Sequence, residues 1–168
     1  RVAVTMREHA ARNPAAWFHG KPITLAEHQA SRPICEPLRL LDCCQESDGG
    51  VALVVTSTDR ARRLRQPPAV IAAAAQGSAG DQQQMTSYYR ADIARLTEVE
   101  LVARQLWAQS GLTPADIQTA VIYDHFTPLV LMQLEAYGFC DRGAAPQFVR
   151  EGQIGLGGRL PVNTHGGQ

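Results

Sequence analysis

Apolar runs of strand length alternate along this chain with segments of helical character, and this alternation constrains the fold most. Residues 51–55 and 69–75 are almost wholly apolar, as strands buried on both faces of a sheet are. A third run, residues 120–123, leads through a tight turn into a helix that Thr127-Pro128 opens. Strands and helices in alternation predict an α/β fold with a largely parallel sheet.

Capping residues and apolar periodicity predict the helices. Thr24, followed three residues later by Glu27, predicts a capping box and a short helix through residue 30. The strongest helix is expected from Thr97, as its cap, to about residue 110, with Gly111 ending it. Shorter helices are predicted over residues 58–64, after Thr113-Pro114 and over residues 129–137.

The dipeptide Pro67-Pro68 breaks the chain between two apolar segments and is the predicted internal boundary. It divides the sequence into a first part, residues 1–66, and a second part, residues 67–168. Within the second part, residues 77–95 are polar and without a clear period, so an ordered loop or an irregular helix is expected there.

Composition excludes several classes of protein. Hydrophobic residues make up 45% of the chain and the formal net charge is zero, which fits neither a disordered tail nor a nucleic-acid binder. The four cysteines form no CxxC pair and no zinc-type spacing, so no metal site and a reducing cytoplasm are expected. No apolar run reaches about 18 residues and no leader pattern is visible, so neither a membrane span nor a secretion signal is expected.

The two ends of the chain suggest further structure beyond them. The sequence opens on Arg1 rather than methionine and stops one residue after the Gly166-Gly167 pair. Because such a turn ordinarily leads into another element, we expect strands or helices beyond both ends. Apolar surfaces that those elements cover should then be exposed here.

The first candidate site lies at residues 123–126, Tyr-Asp-His-Phe, where a predicted strand ends and a helix begins. Ligands of α/β sheets collect at the carboxyl ends of strands, beside the free N–H groups of helix N-termini. Tyr123, Asp124 and His125 are therefore candidate catalytic residues. The alternative is structural: a packed tyrosine, an aspartate that caps the helix and a histidine satisfied within the turn.

The second candidate site is the glycine-rich stretch of residues 155–167. Glycine permits positive φ and close approach of the backbone to a ligand. The order of the glycines matches neither the GxGxxG dinucleotide motif nor the GxxxxGK[ST] phosphate loop. Two tight turns around a short strand would explain the glycines alone. The candidate substrate-binding residues here are Asn163, His165, Gly166 and Gly167.

Three motifs in order give the chain a family resemblance. Residues 37–44, PLRLLDCC, with the SDGG turn of residues 47–50, look like the segment that closes the N-terminal half of sterol-carrier-type thiolases. Residues 123–126 stand where those enzymes carry His-Asp-Cys-Phe, and residues 163–167 resemble their Asn-x-x-Gly-Gly turn. The resemblance is to the thiolase superfamily, sterol-carrier or lipid-transfer-protein branch. It implies a five-layer αβαβα fold, present here only in part, and a homodimer.

One departure from the family motif changes the expected chemistry. Tyr123 replaces a histidine that helps form an oxyanion hole in these thiolases. The Tyr-Asp-His-Phe and Asn-Thr-His-Gly-Gly motifs together resemble the bacterial steroid side-chain aldolases instead. That resemblance implies retro-aldol cleavage of a β-hydroxy steroid-CoA to a ketosteroid and propionyl-CoA, with no cofactor beyond the coenzyme A of the substrate, and a partner subunit with an OB fold and a zinc ribbon. The alternatives are a sterol-carrier-type acetyl-CoA acyltransferase, and a non-catalytic subunit that binds acyl-CoA or lipid.

The expected roles follow from what a retro-aldol reaction requires. Tyr123 is the candidate acid/base at the substrate hydroxyl; an ordinary phenol ionises only near pH 10, so it needs a stabilising neighbour or helix dipole. His125 is expected to act as a positive partner or as a proton relay. Asp124 is expected to orient the loop or cap the helix. Asn163 and the Gly166-Gly167 backbone are expected to face the enolate.

Overall fold

The computed structural model describes residues 1–80 and 89–167. Helices dominate these residues, and the one regular sheet among them is an antiparallel pair in which Pro33 lies opposite Arg39 and Cys35 opposite Leu38. Short 3-10 helices cover Leu40–Asp42 and Pro114–Asp116. The helices and strands are α1 (Val2–Arg12), α2 (Leu25–Ala30), β1 (Pro33–Cys35), β2 (Leu38–Arg39), α3 (Thr58–Ala61), α4 (Thr97–Ser110), α5 (Thr127–Ala136) and α6 (Ala145–Arg150).

The predicted helices α2, α4 and α5 are present, whereas the helix predicted over residues 58–64 covers only Thr58–Ala61 and the one after Thr113-Pro114 is a 3-10 turn. The Thr24 hydroxyl accepts a hydrogen bond from the Glu27 backbone N–H at 3.1 Å, and the Glu27 carboxylate accepts one from the Thr24 N–H at 2.7 Å, which confirms the capping box of α2. Gly111 ends α4 in the left-handed conformation, at φ +70°. Thr97 is the first residue of α4 rather than its cap, which is Leu96. Helix α6 is not among the helices that the sequence predicts.

The hydrophobic core is formed by helices α1, α5 and α6 and by two extended segments, one at residue 122 and one at residues 154–162. Helices α1 and α6 both pack against α5, and α4 contacts α5 from another side. Because the side chains of α5 at Val130 and Leu134 are wholly buried, this helix is the centre of the packing. The other buried residues of the core are Val2, Met6, Ile122, Ala145, Val149, Ile154, Leu160 and Val162.

The two buried strands predicted at residues 51–55 and 69–75 are wrong for this structure. Neither segment forms a strand, and their side chains are largely exposed, with Val54 94% and Val70 70% accessible. A strand needs hydrogen-bonding partners from elsewhere in a chain, and none of the residues that the structure describes supplies one. The exposure of these runs agrees with the expectation of uncovered apolar surface.

The third predicted strand, residues 120–123, is present only as a single parallel bridge. Ala120 pairs with Val162. The Ala120 N–H donates to the Pro161 carbonyl at 3.1 Å, and the Asn163 N–H donates to the Ala120 carbonyl at 2.9 Å. This bridge is the only parallel pairing within the described ranges, so the predicted parallel sheet is reduced here to one contact. It places the two candidate sites side by side.

Two further expectations concern the remaining segments. Residues 77–80 and 89–95 are irregular, as predicted, while residues 81–88 of that stretch lie outside the described residues. The longest described helix is α4, with 14 residues. Among the described residues, no helix has both the length and the apolar character needed to cross a bilayer.

Candidate active site

The first site is a loop of four residues, Tyr123 to Phe126, which we call the site loop. It connects the segment paired with Val162 to the first turn of α5. The Tyr123 carbonyl accepts a hydrogen bond of 2.6 Å from the side-chain amide of Gln133, one and a half turns along α5. Tyr123 as a whole is 64% exposed. Its backbone is therefore held while its phenol stays accessible.

The ring of Tyr123 stacks on the imidazole of His125. Their centroids lie 4.2 Å apart and their planes differ by 18°. His125 is only 6% exposed, and neither ring nitrogen has a hydrogen-bond partner among the described residues. Burial lowers the pKa of His125, against a smaller opposing effect of the Asp124 charge. The imidazole is consequently neutral at pH 7, which disfavours the positive-partner role. The proton-relay role stays a prediction.

Asp124 lies against the glycine turn. A Cβ atom placed on Gly167 would collide with Oδ2 of the Asp124 carboxylate, and Gly167 has a φ of +60°. Glycine at this position therefore lets the carboxylate approach the backbone. The N-cap residue of α5 is Phe126, whose side chain makes no capping hydrogen bond, and the alternative in which Asp124 caps the helix stays a prediction. The loop-orienting role stays a prediction.

Asn163 is buried, with 1% of its surface exposed, and takes the left-handed conformation at φ +49°. Its Oδ1 accepts from the Ile122 N–H at 2.7 Å, and its Nδ2 donates to the Ile122 carbonyl at 2.8 Å. The side chain thus continues the Ala120–Val162 bridge, pairing both backbone groups of the residue that precedes Tyr123. Its expected role at the enolate stays a prediction.

Substitution of Asn163 by alanine in the complete protein should lower the free energy of unfolding by about 2 kcal/mol, because it leaves both backbone groups of Ile122 buried and unpaired. Urea titration followed by circular dichroism measures this change. Asn13 offers a control, since its amide donates to the His165 carbonyl at an exposed site and Asn13→Ala should cost far less. Equal losses in the two variants would contradict the inference.

The other two residues of the glycine turn face different neighbours. Gly166 has a φ of +126°, and a Cβ atom on it would lie 2.8 Å from the Cβ of Ala10, so the turn packs tightly on α1. His165 is exposed. A cavity of about 720 Å³ lies beside this turn and is lined by Trp17, Phe18 and residues 44–48 as well as His165, Gly166 and Gly167. We call it the glycine-turn cavity.

A second cavity of about 720 Å³ lies on the other side of Cys44, which lines both. Phe126 of the site loop forms part of its wall. The Arg7 guanidinium lies 3.5 Å from the centroid of the Phe18 ring, a cation–π contact at the cavity wall. We call this space the apolar cavity; its other apolar lining residues are Ala3, Met6, Ile23, Ile34, Leu40 and Leu41.

One residue that holds the site together is absent from the candidates that the sequence predicts. Asp42 is buried, and its carboxylate accepts a hydrogen bond of 2.7 Å from the Thr127 hydroxyl at the start of α5. Next to it, the Cys44 N–H donates to the His125 carbonyl at 2.8 Å, and Cys43 bridges Phe126. The sequence did contain a signal that could have identified Asp42. It is the one carboxylate in the largely apolar segment of residues 37–44, and a charge buried in such a segment needs hydrogen-bonding partners.

Comparisons with known proteins fit this geometry. Residues 71–168 match the family described as "Thiolase C-terminal domain-like". The chain is 65% identical, over 99% of its length, to the 17-hydroxy-3-oxo-4-pregnene-20-carboxyl-CoA lyase of Mycobacterium tuberculosis, and 65% identical over 100% of its length to a steroid side-chain-cleaving aldolase of Thermomonospora curvata. It spans 43% of the length of each of these relatives.

A solved structure confirms the predicted fold class. The structure of an "Ltp2-ChsH2(DUF35) aldolase" matches with a TM-score of 0.96 and 65% sequence identity, over 99% of this chain and 44% of that chain. The α/β fold predicted from the sequence, a partial thiolase-like fold, is therefore confirmed, and so is the resemblance to the steroid side-chain aldolases. The chain belongs to the thiolase family, and its residues 71–168 match the C-terminal domain-like part of that family.

Proposed function

We propose that the complete protein is a carbon–carbon lyase, an aldolase that cleaves the side chain of a β-hydroxy steroid-CoA by a retro-aldol reaction. The exposed phenol of Tyr123, stacked on the buried imidazole of His125, carries this proposal. The relatives at 65% identity are named for this chemistry. The substrate named for the Mycobacterium tuberculosis relative is a 17-hydroxy steroid 20-carboxyl-CoA, in which the hydroxyl is β to the thioester.

The reaction needs a base, a bond cleavage and a stabilised enolate. Tyr123, as the phenolate, takes the proton of the substrate hydroxyl, and the electron pair of that O–H bond forms the C=O bond of the ketone. The carbon–carbon bond α,β to the thioester breaks, and its electron pair moves into the thioester as an enolate. Tyr123 then returns the proton to the α-carbon, which releases propionyl-CoA and regenerates the phenolate. No covalent bond to the enzyme is required. Coenzyme A enters as part of the substrate and no other cofactor is needed.

The neighbours of Tyr123 fit this sequence of steps. The site loop runs into the N-terminus of α5, where the helix dipole favours negative charge. The neutral imidazole of His125 stacks on the phenol ring and fixes its orientation; to relay a proton, one of its unpartnered ring nitrogens would have to turn toward the phenol oxygen. The glycine turn, with Asn163, His165, Gly166 and Gly167, lies against Asp124 through Gly167. The N–H groups of Asn163 and Gly166 are paired within the fold, so the backbone N–H groups of His165 and Gly167 are the candidate donors to the enolate oxygen.

The apolar cavity suits the steroid part of the substrate. It adjoins Phe126 of the site loop and its wall is mostly aliphatic and aromatic. Burial of an apolar ring system in such a space is favourable by about 25 cal/mol for each Å² removed from water.

The similarity to the solved aldolase supports a proposed assembly. That aldolase is named together with ChsH2, a DUF35 protein. We propose that the complete form of this protein also binds a DUF35-type subunit, with an OB fold and a zinc ribbon, and forms a homodimer through its thiolase fold. We place it in the cytoplasm, where acyl-CoA thioesters occur.

The proposal is tested by incubating the complete protein with a β-hydroxy steroid-CoA, with and without the DUF35-type partner, and following ketosteroid and propionyl-CoA by mass spectrometry. Stoichiometric formation of the two products is expected. Addition of free coenzyme A separates this reaction from thiolysis, because a thiolase consumes coenzyme A and an aldolase does not. Binding of the thioester without product in both conditions would reject the aldolase in favour of a binding subunit.

A further inference from the structure

We propose that Asp42 is the positioning residue of the site loop: through Thr127 it fixes the start of α5 and so sets where Tyr123 and His125 stand. This inference rests on the proposed function for its kinetic consequence. Its structural consequence, the position of His125, can be measured without any substrate.

The Asp42 carboxylate binds three donors from three different segments. Oδ1 accepts from the Thr127 hydroxyl at 2.7 Å and from Nε2 of His28 at 2.8 Å, and Oδ2 accepts from the Arg39 N–H at 3.0 Å. Because a carboxylate only accepts, Nε2 of His28 carries the hydrogen, and the Gln29 side-chain amide donates to the other ring nitrogen at 3.0 Å. Helix α2, the β2 segment and α5 therefore meet at one buried group.

The charge of Asp42 is kept despite burial. Burial by itself raises the pKa of Asp42, but the hydrogen bonds from Thr127, the Arg39 backbone and His28 outweigh it and leave the pKa below its ordinary value. A charged acceptor makes stronger and shorter hydrogen bonds than a neutral one. The link from Asp42 to Thr127, the first residue of α5, is accordingly a firm one.

The site loop lies between this link and a second one. Two residues beyond Asp42, the Cys44 N–H donates to the His125 carbonyl at 2.8 Å, and Cys43 bridges Phe126. One link thus holds the residue after the loop and the other holds the loop itself. The backbone hydrogen bond from Cys44 to His125 fixes the position of the site loop only if the segment around Asp42 and the loop keep their alignment. The hydrogen bond between Asp42 and Thr127 maintains that alignment.

Thr127→Val in the complete protein tests the inference with little change of shape, since valine keeps the branched side chain and removes the hydroxyl. We expect kcat for carbon–carbon cleavage to fall about tenfold and KM to change much less, because the site loop supplies only Phe126 to the wall of the apolar cavity. Thr127→Ser, which restores the hydroxyl, should recover wild-type kcat. His125 should react about tenfold faster with diethyl pyrocarbonate in Thr127→Val, measured by peptide mass spectrometry, because a loosened loop exposes its imidazole.

Thr113 provides the matched control. Its hydroxyl donates to the Asp116 carboxylate at 2.7 Å, the same pairing at an exposed turn. Thr113→Val should leave both kcat and the reactivity of His125 at wild-type values. Wild-type kcat and reactivity in Thr127→Val would overturn the positioning role, and so would a loss that Thr127→Ser fails to rescue. If the wild-type protein breaks no carbon–carbon bond of the steroid thioester, the proposed function fails, while the reactivity of His125 still decides the positioning role.

Discussion

Replacing Tyr123 by phenylalanine is expected to lower kcat for carbon–carbon cleavage by roughly 10³-fold, the size of a general acid–base contribution. Phenylalanine keeps the ring that stacks on His125 at 4.2 Å and removes only the group that takes the substrate proton. Because Tyr123 is an exposed residue, with 64% of its surface accessible, we expect loss of its hydroxyl to leave no buried polar group unpaired. KM and the thermal midpoint should therefore stay near their wild-type values.

Steady-state kinetics of the complete protein with its partner measure this effect, and differential scanning fluorimetry checks the fold. Tyr137→Phe is the control: Tyr137 follows the last residue of α5, so it lies about 15 Å along the helix from the site loop. That variant should retain wild-type kcat. Turnover of Tyr123→Phe within a few fold of wild type would remove Tyr123 from the mechanism and leave only the family assignment.

Whether an element could be predicted depends on where its hydrogen bonds come from. Helices α2 and α4 were predictable because their cap residues are neighbours in sequence: Thr24 directly precedes α2, and Gly111 directly follows α4. The apolar runs of residues 51–55 and 69–75 predicted strands, but a strand is completed by other segments. None of the residues that the structure describes pairs with either run. Both runs therefore form no strand, and their apolar side chains are largely exposed.

The candidate site divides in the same way. The motif of residues 123–126 and the glycine turn could be found in the sequence, whereas their adjacency is known only from the Ala120–Val162 bridge of the folded chain. The partners that hold the site could not be found. Asp42 reaches Thr127 across 85 positions of sequence, and Asn163 reaches Ile122 across 41. No periodicity or spacing rule connects residues so far apart, and only the folded chain brings their side chains into contact.

The close contact between Asp124 and Gly167 leads to the second large effect. Gly167→Ala in the complete protein should lower kcat roughly 100-fold, because the new methyl group would occupy the place of the Asp124 Oδ2 atom and push the site loop aside. Misplacement of this loop moves Tyr123 as well as Asp124. Kinetics with the steroid thioester measure the loss, and chemical denaturation measures the accompanying change in the free energy of unfolding.

Gly111→Ala separates this collision from backbone strain. Gly111 has a φ of +70°, close to the +60° of Gly167, but a Cβ atom there would meet nothing within 4 Å. Both substitutions force alanine into the left-handed region and should each cost about 1 kcal/mol of stability for that reason. Only Gly167→Ala adds the contact with the carboxylate, so only it should lose turnover beyond what its folded fraction explains. Equal kcat in the two variants would mean that the glycine serves the turn and not the position of Asp124.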